Sequence, residues 1–246
     1  MSALLALWRL SHALAVAIGG FFTIVVRFPQ LPQSHRDARV QAWAGRMLQV
    51  LGVRLVVRGT PPVAGPMLLV ANHISWLDIL VMHASRHCRF VAKGEIRRWP
   101  LIGTLATGGG TLYIERSTRR EAMRVLHDMQ DSLTAGEVVA VFPEGTTGDG
   151  NVLLPFHGNL IQAAIAANAP AQPVALRFID ARTGQTSHAA RYLDESLLGS
   201  LWRTARARDF TALVVFGQPQ LHGDRNRRQW AKALQREVDA LRKQPM

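Results

Sequence analysis

The sequence predicts an α/β protein in which a layered mixed sheet with flanking helices is preceded by an N-terminal membrane-associated helix. Short apolar runs suitable for buried strands alternate with longer segments of helical periodicity. The chain has 246 residues and is 48% hydrophobic, which is enough for one large core. A strongly apolar segment comes before the first strand. Together these features indicate crossover connections around a sheet, with an anchor in front.

The apolar N-terminal segment covers residues 4–26 and is interrupted at Arg9, Ser11 and His12. Its uninterrupted part, residues 13–26, is shorter than the roughly 20 residues that a membrane span needs. It therefore predicts either a marginal transmembrane helix or a helix lying in the membrane interface. A signal peptide would end in a small-residue cleavage site, and Arg27 occupies that place. We interpret residues 1–28 as a retained membrane anchor.

The net charge of +12 comes almost entirely from arginine, since the chain has three lysines. By the positive-inside rule, the arginines after the anchor predict an inner-membrane protein whose catalytic domain lies on the cytoplasmic side. A single cysteine, Cys88, excludes an intrachain disulfide. The histidines lack metal-ligand spacing and nucleic-acid-binding motifs are missing, so neither a metal site nor a nucleic-acid partner is expected.

The remaining elements follow from periodicity and from turn residues. Residues 29–52 are predicted to be a linker followed by a helix, and residues 53–246 to form the second domain. Glycine and proline separate the apolar runs, and Thr118 and Glu121 have capping-box spacing. The predicted strands cover residues 53–58, 67–71, 88–92, 111–115, 138–142, 173–178 and 211–216. The later predicted helices follow Ser75 and cover residues 101–107, 118–135, 156–168, 196–208 and 224–242.

Polar residues stand just after three of the predicted strands. His73, Arg116 and Glu144 supply a base, a cation and an acid at these positions. In open α/β sheets the carboxyl ends of the strands meet at one crevice. We therefore expect these three side chains to converge.

His73 and Asp78 are five residues apart, which on one continuous helix would place them about 140° from each other. If His73 instead precedes a helix capped by Ser75, the carboxylate can reach back to the imidazole. A histidine oriented by an aspartate is suited to general base catalysis. The alternative is a capping serine, a surface aspartate and a structural histidine.

The stretch from Asn72 to Asp78 resembles the His-x4-Asp motif of the glycerolipid acyltransferase family, which includes 1-acylglycerol-3-phosphate acyltransferases. Further family segments are similar to parts of this chain, in the same order, over roughly residues 50–220. The matching segments are Lys93-Gly-Glu-Ile-Arg-Arg-Trp-Pro-Leu-Ile-Gly103, Gly110-Thr-Leu-Tyr-Ile-Glu-Arg116, Phe142-Pro-Glu-Gly-Thr146 and Gln172-Pro-Val-Ala-Leu176.

The resemblance implies acyl transfer from acyl carrier protein or coenzyme A to the free hydroxyl of a lysolipid, in membrane lipid biosynthesis. The acyl thioester is a substrate, and no cofactor is expected. His73 would be the general base and Asp78 would align it, while backbone N–H groups near Ser75 would bind the oxyanion. The substrate-binding positions implied by the resemblance are Lys93, Glu95, Arg116, Glu144, Gly145, Thr146 and Thr147.

One departure from the family pattern leaves the acceptor open. Members that use a phosphate-bearing acceptor usually have Arg-Ser after Glu-Gly-Thr, whereas this chain has Thr147-Gly-Asp-Gly150. The loss of a cation weakens a lysophosphatidate acceptor, and the pattern is similar to that of relatives acting on lyso-ornithine lipid. Two other functions remain as alternatives. A hydrolase using Ser75 would lack the Gly-x-Ser-x-Gly elbow, and a non-enzymatic binder of anionic membranes or nucleic acid would use only the charge.

Overall fold

The computed structural model describes residues 2–114, 119–193 and 195–245. At its centre lies one seven-stranded mixed sheet, flanked by helices, which confirms the predicted fold class. The strands stand in the order β1-β7-β6-β2-β5-β3-β4. Their bounds are β1 Val53–Arg58, β2 Met67–Ala71, β3 Arg89–Lys93, β4 Leu112–Ile114, β5 Val138–Val141, β6 Ala171–Asp180 and β7 Phe210–Phe216.

The strand directions bring the predicted site to one edge of the sheet. β2 is parallel to β5 and β6, β5 to β3, and β3 to β4, so the carboxyl ends of these five strands share an edge. β7 is antiparallel to β6 and parallel to β1. The segments that follow β2, β3 and β5 therefore leave the sheet on the same side.

Helices cover both faces of the sheet. Their bounds are α1 Ser2–Phe22, α2 Gln33–Leu51, α3 Leu77–Ser85, α4 Ile102–Gly108, α5 Arg119–Thr134, α6 Gln162–Ala166, α7 Leu197–Arg206 and α8 Arg227–Arg242. Successive β2 residues alternate between two cores: Leu69 packs with the buried side chains of α2 and α3, and Leu68 with those of α5, α6 and α8. Burial on both faces explains why β2, β5 and β7 are continuous apolar runs instead of alternating patterns.

The α6 region differs from its prediction, since a helix was expected over residues 156–168 and only Gln162–Ala166 is α-helical. Long-range hydrogen bonds take up the backbone before α6. Phe156 N donates to Gln235 Oε1 at 3.4 Å and His157 N donates to Pro143 O at 2.9 Å. These bonds hold residues 156–157 against α8 and against the segment that follows β5, where a continuous helix could not reach.

The linker was expected over residues 29–35, before a helix over residues 40–50, and the structure shows a shorter one. A 3-10 turn extends over Phe28–Gln30, and α2 begins at Gln33. Pro29 is compatible with the first turn of a helix because the N–H that it lacks would have no partner there.

The N-terminal helix packs against the domain along one side. Together with the turns that follow, it gives a helical segment over Ala3–Gln30 that is long and apolar enough, by length and composition, to cross a membrane. Ala6 and Ala13 are buried, and Trp43 Nε1 of α2 donates to Val16 O at 3.0 Å. Arg9 Nη1 donates to Ala205 O at 3.0 Å and to Ala207 O at 2.6 Å, at the end of α7.

Arg9 also lies beside the end of α2. Gly52 ends that helix with φ +76°, and a Cβ there would lie 2.1 Å from Arg9 Nη2. The guanidinium thus stands between the carboxyl-terminal ends of two helices, where a cation is favoured by the partial negative charge of the last carbonyls.

We predict that Arg9→Met weakens the attachment of α1, because the carbonyls of Ala205 and Ala207 lose a charged donor. The expected loss is about 1–3 kcal/mol in the free energy of unfolding in detergent, measured by denaturant titration. Arg27→Met, which removes an exposed arginine after the same helix, is the control and should change stability much less. Equal effects of the two variants would contradict the bridging role of Arg9.

Candidate active site

The centre of the site is the pair formed by His73 and Asp78. β2 ends at Ala71, His73 lies in the loop that follows, and Asp78 lies in the first turn of α3. His73 Nδ1 is 2.8 Å from Asp78 Oδ2, which confirms the expected contact. An ionised carboxylate only accepts hydrogen bonds, so it selects the tautomer with the proton on Nδ1 and leaves the Nε2 lone pair available.

Asp78 also folds the loop. Its Oδ2 accepts hydrogen bonds from Ile74 N at 2.6 Å and from Ser75 N at 2.9 Å, in addition to the imidazole. The Asp78 side chain is fully buried, whereas His73 is 20% exposed. A buried carboxylate needs such donors. The same oxygen therefore shapes residues 73–75 and orients the base.

Asn72 holds the exit of β2 on the other side. Its Nδ2 donates to Leu176 O at 3.0 Å, and its Oδ1 accepts from Leu176 N at 2.7 Å. The side chain thus imitates a further pair of strand hydrogen bonds to β6, beyond the last residue of β2. This contact sets the point at which His73 leaves the sheet.

An aromatic stack supports the imidazole. The rings of His73 and Phe142 lie 4.1 Å apart at an interplanar angle of 11°, and Phe142 stacks in turn on Phe90 at 5.7 Å. Asp78 fixes the Nδ1 edge of the imidazole, and Phe142 fixes the plane of the ring. Two independent contacts thus limit its rotation.

Glu144 joins two loops of the site. Its Oε1 accepts from His73 N at 2.7 Å and its Oε2 accepts from Leu154 N at 2.8 Å, and the residue is 6% exposed. Burial raises the pKa of the Glu144 carboxyl above its ordinary value, and the backbone N–H groups of His73 and Leu154 partly offset that effect. The carboxylate acts mainly on the backbone, and its role in substrate binding stays a prediction.

The loop after Glu144 is held from the far end of the chain. Arg242 Nη2, at the end of α8, donates to Gly150 O at 2.7 Å and to Asn151 O at 3.0 Å. Gly148 N donates to His73 O at 2.8 Å, which closes the loop onto the base.

The expected oxyanion donors near Ser75 are already engaged, so that expectation was wrong for four N–H groups. Those of Ile74 and Ser75 bind Asp78, that of His73 binds Glu144, and that of Leu77 donates to Ser75 Oγ at 3.2 Å. For the first three, the reason is the burial of two carboxylates, Asp78 and Glu144, which draw in the nearest backbone donors. The expected N-cap at Ser75 was also wrong, because α3 begins at Leu77 with Trp76 at the N-cap position and no side-chain cap, and Ser75 Oγ accepts only from Leu77 N.

The other predicted site residues occupy the same edge of the sheet or its loops. Lys93 ends β3 and Glu95 lies in the 3-10 turn Gly94–Arg98, and both are exposed. β5 separates β3 from β2, so the two strands lie roughly 10 Å apart. The convergence expected for His73 and Glu144 is confirmed, whereas Arg116 lies outside the described residues.

The residues after Glu144 differ in their surroundings. Gly145 has φ +73°, a conformation that favours glycine, and Thr146 is exposed. Thr147 Oγ1 donates to Tyr192 O at 2.5 Å. The residue that replaces the usual arginine therefore links this loop to the segment before α7.

Sequence reasoning missed three supporting residues: Asn72, Phe142 and Arg242. Asn72 and Phe142 belong to the segments that resemble the family, so their positions in the sequence were a usable signal. Arg242 had none, since it is 92 residues from Gly150 in sequence. Among the described residues, no group of three or more His, Cys, Asp or Glu side chains could hold a metal ion.

We predict that Glu144→Gln destabilises the protein, because the amide nitrogen of glutamine cannot accept a hydrogen bond, whereas both oxygens of a carboxyl group can. The raised pKa of Glu144 adds a pH dependence. The folded state binds this proton more tightly than the unfolded state, so the carboxyl's contribution to stability is greatest below about pH 4.5 and falls as pH rises through the raised pKa. Denaturant titrations across this range should show the stability difference between wild type and Glu144→Gln shrinking towards higher pH. A pH-independent difference would contradict this.

Comparison with known proteins agrees with this geometry. The family model described as Acyltransferase matches residues 52–177. The chain is 37% identical over 186 residues to a 1-acyl-sn-glycerol-3-phosphate acyltransferase of Neisseria meningitidis, covering 75% of this chain and 72% of that protein. It is 32% identical over 228 residues to a lyso-ornithine lipid O-acyltransferase of Pseudomonas aeruginosa, covering 92% and 87%.

The fold also matches a solved structure, that of the 1-acyl-sn-glycerophosphate (LPA) acyltransferase PlsC from Thermotoga maritima. The TM-score is 0.73 at 20% identity, over 99% of this chain and 97% of that one. With a matching family model over half of its length and relatives above 30% identity, the chain belongs to the Acyltransferase family.

Proposed function

We propose that this acyltransferase moves an acyl group from the thioester of acyl carrier protein or coenzyme A to the free hydroxyl of a lysolipid. The observation that carries the proposal is the 2.8 Å contact between His73 Nδ1 and the buried Asp78, which leaves Nε2 as a base. The hydroxyl oxygen attacks the thioester carbonyl as Nε2 takes its proton. When the tetrahedral intermediate collapses, the C–S bond breaks and the thiolate takes the proton from the imidazolium.

The surroundings of the other nucleophiles favour direct transfer over an acyl-enzyme. Ser75 is fully buried, and its hydroxyl oxygen accepts from Leu77 N. Cys88 is fully buried, and desolvation raises the pKa of its thiol far above the ordinary value, which disfavours the thiolate. These features also speak against the hydrolase alternative.

Two acceptors follow from the two named relatives. A 1-acyl-sn-glycerol-3-phosphate acceptor is the first candidate, with Arg116 as the residue for its phosphate. A lyso-ornithine lipid acceptor is the second, favoured by Thr147, which offers no cation and uses its hydroxyl on Tyr192 O. Asp149, nearby, adds a negative charge that suits a phosphate-free acceptor.

The outer face of α1 supports a place at the membrane. One stripe of the helix and of the turn after it exposes large apolar side chains at helical spacing, opposite the side that packs on the domain. Its members are Leu4, Leu7, Trp8, Leu14, Ile18, Phe22, Val25 and Val26. Because one side faces protein, the helix suits a position in the interface plane. The arginine bias after it favours the cytoplasmic side of the inner membrane.

We predict that Leu14→Glu releases the protein from membranes, because a carboxylate replaces an apolar side chain that enters the lipid. The bound fraction in vesicle flotation should correspond to an affinity at least about tenfold lower. Met123→Glu on α5, across the sheet, is the matched control, since Met123 is 58% exposed and Leu14 is 54% exposed. Equal release by both variants would argue against α1 as the membrane contact.

The decisive test of the activity is His73→Ala, assayed with a labelled acyl thioester and either lysophosphatidate or lyso-ornithine lipid. Loss of the general base should lower kcat about 10²- to 10⁴-fold at an unchanged melting temperature. His127→Ala, which removes an exposed histidine of α5, is the control. Full activity of His73→Ala would exclude His73 as the base. Thioester cleavage that needs no acceptor and disappears in Ser75→Ala would establish the hydrolase instead.

A further inference from the structure

The segment that precedes α7 lies directly on the site. Trp76 Nε1 donates to Ser200 Oγ at 3.0 Å, which ties α7 to the His73 loop. The hydrogen bond from Thr147 to Tyr192 O ties the same segment to the loop after Glu144. Gly150 also lies against Thr186, since a Cβ at Gly150 would lie 3.7 Å from the Thr186 methyl group. Residues 186–193 and 195–200 thus form one wall beside the catalytic histidine.

This wall carries an arginine whose backbone is fixed and whose side chain is free. Arg191 N donates to His188 O at 3.2 Å, and its carbonyl accepts from Ser200 Oγ and from Arg203. Arg191 is exposed, and within the described part of the chain its guanidinium takes part in no recorded hydrogen bond or ion pair. A cation held in this way is available to a ligand.

A carboxylate faces this wall from the loop after Glu144. Asp149 follows Gly148, whose N–H donates to His73 O at 2.8 Å. Asp149 Oδ1 accepts from Asn151 N at 2.8 Å and from Val152 N at 3.1 Å, so the turn keeps the carboxylate in place. These two bonds lower the pKa of Asp149, and the positive charge of Arg191 adds to the effect.

The two charges influence each other without forming a contact ion pair. No arginine, lysine or histidine nitrogen of the described residues lies within 4.0 Å of the Asp149 carboxylate. Glu195, the acid closest in sequence to Arg191 among the described residues, is bound by Arg203 through both of its oxygens. Arg191 and Asp149 therefore lie on the two segments that the Thr147–Tyr192 hydrogen bond joins, and among the described residues neither forms a contact ion pair.

We propose that Arg191 and Asp149 form the headgroup subsite for the acceptor and select a lysolipid with a zwitterionic headgroup. This inference rests on the proposed transfer to a lysolipid hydroxyl. Arg191 binds the anionic group, a carboxylate or a phosphate, and Asp149 binds an ammonium group. A phosphate monoester carries only negative charge, so Asp149 repels it. A zwitterionic headgroup can bind Arg191 with its anionic group and Asp149 with its ammonium group. Arg191 thus provides, from another part of the chain, a cation that position 147 does not offer.

The test compares kcat/KM for lyso-ornithine lipid and lysophosphatidate in wild type, Asp149→Asn and Arg191→Gln. Asparagine keeps the Oδ1 acceptor that the turn needs and removes only the charge. Asp149→Asn should lower kcat/KM for lyso-ornithine lipid about ten- to a hundredfold, chiefly through KM, and leave or improve the rate with lysophosphatidate. Arg191→Gln should raise KM for both acceptors, since both present an anion.

Two controls make the same charge changes elsewhere. The first is Asp131→Asn, at a side chain of α5 that is 65% exposed. The second is Arg182→Gln, at a side chain in the turn after β6 that is 69% exposed. Both should keep wild-type selectivity. An unchanged acceptor preference in Asp149→Asn, an unchanged KM in Arg191→Gln, or a wild-type preference for lysophosphatidate would overturn the subsite while leaving acyl transfer intact. Wild type without activity on either acceptor would instead refute the proposed function for both, and the subsite with it.

Discussion

The site depends on one buried carboxylate oxygen. Asp78 Oδ2 accepts hydrogen bonds from the imidazole of His73 and from the backbone of Ile74 and Ser75. Removing an ionised carboxylate from water is costly unless donors compensate it. The chain therefore has to bend between β2 and α3 so that all three donors meet one oxygen. This bend carries the imidazole to the edge of the sheet, and the rest of the site is arranged around it.

A second carboxylate and a distant arginine extend this framework. Glu144 connects the backbone of His73 to that of Leu154, and Arg242 holds the carbonyls of Gly150 and Asn151. Glu144 and Arg242 thus bind the backbone of the loops around the site. A loop fixed by such bonds presents its remaining polar groups in a defined direction, which is the requirement for selecting one headgroup over another.

The arrangement of the layers relates the site to the membrane. α2 and α3 share one core, and Ala13 of α1 belongs to it as well. α5, α6 and α8 pack on the opposite face of the sheet. The exposed apolar stripe of α1 is therefore on the side of the sheet that carries Asp78. With α1 in the interface, as proposed above, a lysolipid would reach His73 without crossing the sheet, and the proposed thioester donor would approach the exposed loops from water.

The sequence alone determined the elements with local signatures. β2 is a fully buried apolar run, β1 is a partly exposed strand, and both lie at the residues predicted for them. The contact of His73 with Asp78 was expected from their five-residue spacing, provided that His73 lies between a strand and a helix. Only the tertiary structure decided the rest: the short α6, the engaged N–H groups near Ser75 and the use of Glu144 on the backbone. The N–H groups of Ile74, Ser75 and Leu77 bind acceptors within four residues, in a bend whose shape the sequence left open. The short α6 and the bond of Glu144 to the His73 backbone come instead from contacts between residues 70 or more positions apart, such as Glu144 with His73 and Phe156 with Gln235. Such contacts follow from strand order and loop closure, which leave no periodic pattern in the sequence for a local argument to use.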